Sequence, residues 1–118
     1  NPPILALAAL RASLEIFDAA GMAALRAKSE LLTSYLEWLI HQKNTNANIR
    51  IITPSDPAQR GCQLSLQTLS NGRAIFDRLT AAGVIADWRE PDVIRIAPVP
   101  LYNSFVDCWA FVEELCRG

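Results

Sequence analysis

One arginine stands apart from its neighbours. Val93-Ile94-Arg95-Ile96-Ala97 is apolar except at its centre. In a strand, side chains alternate, so Arg95 falls on the opposite face from Ile94 and Ile96. Such an arginine either points into solvent or is held there to bind an anion. Its planar guanidinium presents a fork of donors that matches a carboxylate. Ala97-Pro98-Val99-Pro100 follows directly. Two ring-locked φ angles make that stretch rigid, so a site beside it needs little ordering when a ligand arrives.

The other reactive side chains point to less. His41 is the single histidine, so any Ser-His-Asp or Cys-His arrangement would have to use it. It lies near the end of an amphipathic helix and reads as solvent-facing. Cys62, Cys108 and Cys116 contain no CxxC pair. Cys108 and Cys116 fall on one helix, about 12 Å apart along its axis, too far to bridge. They read as reduced thiols packed as small hydrophobes, and the ligands for a zinc site are missing. The glycines are scattered and form no phosphate loop. Lys28 and Lys43 occupy polar helical positions, not the apolar surroundings of a carbonyl-condensing lysine. Glu113 and Glu114 are adjacent on a helix and diverge by about 100°, so they form no acid/base pair. Asp87-Trp88-Arg89-Glu90 reads as a surface hairpin turn with local ion pairs, worth little in stability.

Composition narrows the classes further. The chain has 118 residues, 51% hydrophobic and 19% charged, which suits a single domain with a core. Eleven Lys and Arg stand against 12 Asp and Glu, a net charge of −1. No basic field is present to attract nucleic acid or an anionic membrane. No apolar run reaches the roughly 20 residues of a membrane span. The chain starts at Asn1 and its one methionine is Met22, which reads as a piece of a longer chain.

Periodicity supplies the elements that position Arg95. Pro2 and Pro3 suit a helix start, and Ile4, Leu7, Leu10, Leu14 and Phe17 recur at helical spacing. Gly21 marks a break, after which Leu25, Leu32, Leu36, Leu39 and Ile40 continue the pattern to about Lys43. Ile49–Thr53 reads as a strand, Pro54–Arg60 as a loop, and Cys62–Gln67 as a half-buried strand with Cys62, Leu64 and Leu66 inward. Ser70 is the expected cap of a helix with Ile75, Phe76, Leu79 and Ala82 inward and Gly83 at its end. Val84–Asp87 and Val93–Ile96 read as strands around a Pro91-Asp92 turn. Asn103 or Ser104 is expected to cap a last helix with Phe105, Cys108, Trp109, Val112, Leu115 and Cys116 as its buried stripe. The order is ααββαββα. This predicts an α+β fold with an antiparallel or mixed sheet of about four strands and helices on one side. Residues 1–43 form a helical lead-in and 44–118 the α+β part.

The stretch from Gly83 to Phe105, with its run Ile94-Arg95-Ile96-Ala97-Pro98-Val99-Pro100-Leu101-Tyr102-Asn103-Ser104-Phe105, resembles kynureninases. So do Arg60-Gly61-Cys62-Gln63-Leu64-Ser65-Leu66, Asn1-Pro2-Pro3-Ile4 and Leu10–Phe17. The resemblance covers essentially the whole chain and implies the C-terminal small domain of a pyridoxal 5'-phosphate enzyme of the aspartate-aminotransferase fold type. It implies hydrolysis of L-kynurenine or 3-hydroxykynurenine to anthranilate or 3-hydroxyanthranilate plus L-alanine, in tryptophan catabolism and NAD biosynthesis. It further implies a cytoplasmic homodimer with sites near the subunit interface.

Carried over residue by residue, the resemblance gives Arg95 the substrate α-carboxylate and places Asn1 near the substrate's aryl ring. The family's Schiff-base lysine, pyridine-nitrogen aspartate and phosphate ligands match nothing in this chain, so the fragment alone is expected to be inactive. Two other readings stay open on the residues themselves. One is a stand-alone amino-acid-binding module. The other is an interaction domain presenting Leu7, Leu14, Leu32 and Leu36 to a partner.

Overall fold

The computed structural model of the chain describes residues 2–117. Two helices open it, α1 (Ile4–Ala20) and α2 (Met22–Lys43). Gly21 joins them at φ +86°, a left-handed conformation that glycine adopts without a Cβ penalty. The Gly21 N–H donates to Phe17 O and its own carbonyl accepts from Leu25 N–H, so both helices stay tied through the bend.

Four strands follow, β1 (Ile49–Ile51), β2 (Leu64–Thr68), β3 (Asp87–Arg89) and β4 (Val93–Ile96). They form one sheet in the order β1-β2-β4-β3, and every pairing is antiparallel. Helix α3 (Gly72–Ala81) connects β2 to β3, and α4 (Phe105–Leu115) ends the fold. The α+β class and the element order match the expectation from the sequence.

Alternation along the two central strands builds the core. Leu64, Leu66, Ile94 and Ile96 point to one face. They meet Leu32, Leu36, Leu39 and Ile40 of α2, Ile75 and Leu79 of α3, and Cys108, Val112 and Leu115 of α4. Each fully buried Leu or Ile contributes about 1.5–3 kcal/mol by leaving water. All three of these helices therefore cover the same face of the sheet. The opposite face carries Arg50, Ser65, Gln67, Arg89 and Arg95. Helix α1 stands outside this arrangement and buries no residue. Leu32 and Leu36 are thus consumed by the core, whereas Leu7 and Leu14 of α1 stay half exposed. The four leucines do not form one partner-ready face.

Several local expectations are corrected. Ser70 does not cap α3, because its hydroxyl and N–H are spent on Asn48 Oδ1, both at 2.8 Å. Asn71 takes the cap position in a left-handed conformation. The third strand is Asp87–Arg89, not Val84–Asp87, because Trp88 pairs with Ile94 across the sheet. Cys62 lies ahead of β2 and is only half-buried. Phe105 and Trp109 are 44% and 49% exposed, since Cys108, Val112 and Leu115 fill the narrower inward stripe of α4.

Tight joints hold the layers in register. Arg60 Nη1 reaches Glu37 Oε1 at 3.0 Å with the arginine almost fully buried, which ties the β1–β2 connection to α2. Arg78 Nη2 donates to the carbonyls of Glu114 and Leu115 at 2.9 and 3.0 Å, satisfying the C-terminal end of α4. Gly72 opens α3 so close to β2 that an added Cβ would lie 2.1 Å from Thr68 Oγ1. Gly72→Ala is therefore expected to destabilise the fold by about 1–3 kcal/mol, read as a lowered urea midpoint. An unchanged midpoint would show that this contact relaxes without cost.

Candidate functional site

The site is built from the register of β3 and β4. Trp88 packs inward against Phe76 of α3, with ring centroids 5.8 Å apart. The guanidinium of Arg73 covers both rings, 5.4 and 5.8 Å from their centroids. With Trp88 anchored inward, Asp87 and Arg89 must point to the other face. Register then places Asp87 directly opposite Arg95 on one side, and Ser65 of β2 opposite it on the other.

Arg95 is partly exposed, as its alternation in the sequence requires. Its Nε donates to Asp87 Oδ2 at 2.8 Å. Its Nη2 donates to the same oxygen. Arg89 Nε donates to that oxygen as well, at 2.8 Å. Hydrogen bonds from Arg95, then from Arg89, hold the Asp87 carboxyl below its ordinary value. The cluster of Arg89, Asp87 and Arg95 carries one excess positive charge. Arg95 is gripped along its Nε side, and its Nη1 has no hydrogen-bond partner among the described residues. The open end of the fork is the geometry that takes both oxygens of a carboxylate.

The Ala97–Pro100 stretch is fixed beside it as its prolines imply, and further groups pin it. Val99 N–H donates to Asn103 Oδ1 at 2.8 Å. Val99 O accepts from the N–H groups of Asn103 and Tyr102, at 2.8 and 3.2 Å. Lys28 Nζ reaches across from α2 to donate to Pro100 O at 2.7 Å. Ser104 then caps α4 through a reciprocal box. Its Oγ accepts from Asp107 N–H at 3.2 Å, and Asp107 Oδ2 accepts from Ser104 N–H at 2.9 Å.

The bond from Ser104 N–H, then one from the Asn103 side-chain amide, lowers the Asp107 carboxyl from its usual 3.8. A depressed carboxyl adds stability above its unfolded value and loses it as pH falls through the lower folded value. Ser104→Ala is expected to cost about 1 kcal/mol at neutral pH. For Asp107→Ala, which removes the titrating carboxylate itself, the destabilisation relative to the parent should shrink in acid, as followed by thermal melts across the pH 2–5 range, roughly where carboxylates titrate. A pH-independent difference would contradict the reciprocal cap.

The remaining reactive groups stay outside this cluster. His41 is exposed. Lys43 pairs with Glu113 at 3.2 Å. The three cysteines are unbridged. Burial, with Asp107 nearby, pushes the Cys108 thiol up to about 11, so it stays protonated and inert. A groove of about 700 Å³ runs on the helical side between Leu36, Ile96, Pro98 and Phe111, and Arg95 is not in its wall. No cluster of three metal-ligating side chains occurs among the described residues. No helix among them is long and apolar enough to cross a membrane. Asn1 lies outside the described residues.

Sequence reasoning placed Arg95 on its face but missed Asp87 and Lys28. In the sequence Asp87 both ends a predicted strand and opens a charged turn with local ion pairs, and only the β3–β4 register reveals that Arg95 is its partner. Lys28 meets Pro100 from a distant helix, a contact that no local pattern signals.

Comparison with known proteins gives a consistent picture. The family model for the kynureninase C-terminal domain matches residues 25–115. The chain is 64% identical to a kynureninase of Xanthomonas euvesicatoria pv. vesicatoria (strain 85-10), over 98% of this chain and 28% of that protein. It is 63% identical, with the same coverage, to a kynureninase of Xanthomonas axonopodis pv. citri (strain 306). A kynureninase of Xanthomonas oryzae pv. oryzae (strain PXO99A) is 60% identical, again over 98% of this chain and 28% of its own length.

Proposed function

Because the chain belongs to the kynureninase C-terminal domain family, we propose that it supplies the substrate-carboxylate site of a longer kynureninase. That enzyme hydrolyses L-kynurenine or its 3-hydroxy form to anthranilate or 3-hydroxyanthranilate and L-alanine. The chain spans 28% of the length of the relatives it matches, so the rest of the catalytic centre lies in the part of the protein outside it.

The observation that carries this reading is the open end of the Arg95 fork on the face of the sheet away from the helices. Arg95 receives the α-carboxylate of the amino acid through two parallel N–H···O bonds. Fixing that end of the substrate restricts the orientations of its reacting carbons, which is positioning catalysis. The rigid Ala97–Pro100 segment keeps the neighbouring backbone from rearranging on binding.

The family chemistry needs pyridoxal 5'-phosphate, which acts as an electron sink when bound. The residues here do not fit that group. Lys28 is committed to Pro100 O and Lys43 to Glu113. Both lie on the helical layer, away from Arg95. The cofactor is held by the remainder of the protein, and no step is assigned to it here. That remainder also covers α1, whose Ile4, Leu5, Leu7 and Leu10 are 50–87% exposed in this chain. The assembled enzyme is a homodimer.

The full-length protein with pyridoxal 5'-phosphate is expected to release anthranilate and alanine from kynurenine. The 118-residue chain alone is expected to release neither. Turnover by the isolated chain would overturn the division of the site. A full-length protein inert toward both kynurenines would overturn the activity.

A further inference from the structure

We infer that Asp87 is a positioning residue for the substrate carboxylate, acting through Arg95. This inference rests on the reading of Arg95 given above. An arginine side chain has four rotatable bonds, and unrestrained it would sweep the open face of the sheet. Asp87 restrains it from the side. One oxygen, Oδ2, takes both Nε and Nη2 of Arg95. This fixes the plane of the guanidinium and turns its Nη1–Nη2 edge away from β3. The contact is a cross-strand pair set by register, so the backbone of two hydrogen-bonded strands holds both partners.

A carboxylate so close to an anion site would ordinarily repel the ligand. Arg89 offsets this. Its Nε binds the same Oδ2 at 2.8 Å, so the cluster stays net positive. The inward anchor of Trp88 on Phe76 keeps the short edge strand β3 in place, and with it Asp87. A surface ion pair placed only for stability would have no need of a second guanidinium on one oxygen, nor of a neighbour left with an open fork.

The test uses the full-length enzyme with Asp87→Ala, Asp87→Asn, Arg95→Ala and the Asp87→Ala/Arg95→Ala double variant. KM and kcat for L-kynurenine are measured, together with the inhibition constant of the amine analogue that lacks the α-carboxylate. Asp87→Ala is expected to raise KM about ten- to a hundred-fold, the scale of a misplaced binding group. Asp87→Asn keeps an oxygen acceptor for Nε and should recover most of that loss. The carboxylate-free analogue should bind the parent and Asp87→Ala alike. In the Arg95→Ala background, Asp87→Ala should add nothing. If Arg95→Ala raises KM while Asp87→Ala matches the parent, the positioning role falls and the Arg95 site stands. If Asp87→Ala raises KM equally with and without Arg95, the role is not exerted through Arg95 and the inference falls. If Arg95→Ala itself leaves KM unchanged, the Arg95 site falls, and the inference with it.

Discussion

Arg95→Ala in the full-length enzyme is expected to lower kcat/KM for kynurenine by about 30-fold to several thousand-fold. The range follows from the roughly 2–5 kcal/mol lost when one partner of a hydrogen-bonded charge pair is removed. The structure explains why the loss should be large. The guanidinium is already oriented by Asp87, so little of its binding energy goes into ordering the side chain. Arg95→Lys should recover only part of the loss. An ammonium is a point charge and lacks the fork that meets two oxygens. Neither variant should unfold the protein, because Arg95 is partly exposed on the polar face of the sheet. Steady-state kinetics alongside a thermal melt separate these effects. A parent-like kcat/KM in Arg95→Ala would remove this residue from the site.

The largest effect on stability is expected at Leu66. It lies on β2, an interior strand of the sheet, and is fully buried. It belongs to the buried cluster that the sheet shares with α2, α3 and α4, so its truncation leaves a cavity in the common core. Leu66→Ala should cost about 2–5 kcal/mol, a large share of the roughly 5–15 kcal/mol that holds a domain together. Urea unfolding measures this as a drop in midpoint at unchanged slope. Ile85→Ala is the control. Ile85 is 100% exposed, and its truncation should shift stability of the 118-residue chain by no more than about 0.5 kcal/mol. Equal effects at the two positions would contradict the core described here.

Much of this architecture follows from local pattern. Val93–Ile96 was legible as a strand because Ile94 and Ile96 alternate with one charge. The α1–α2 break was legible because Gly21 interrupts a helical apolar period. Asn103 and Ser104 were recognisable at the start of α4 because their side chains compete with the backbone for hydrogen bonds. What escaped depends on distant contacts. Ser70 is a good capping residue, yet Asn48, from the turn before β1, captures its hydroxyl. Phe105 and Trp109 share helical spacing with Cys108 and Val112. Which of them is buried depends on the width of the surface α4 meets, and α2 and the sheet fill only the narrower part.

The site divides in the same way. The face of Arg95 could be read from one strand, but its partner could not. Asp87 sits in a charged stretch that resembles a turn, and β3 becomes a strand there because Trp88 finds Phe76 on a helix before it in sequence. The carboxylate-binding role proposed for Arg95 rests on its guanidinium fork and on the family resemblance. The pair that orients it emerged only from the sheet register.

The open edge of Arg95 is proposed to receive the α-carboxylate. A structure of the full-length enzyme with a bound, unreactive kynurenine analogue tests it most directly. The two carboxylate oxygens are expected about 2.7–2.9 Å from Arg95 Nη1 and Nη2, with Asp87 still on the Nε side. A carboxylate seated on another cation, with Arg95 turned away from it, would contradict this role for Arg95.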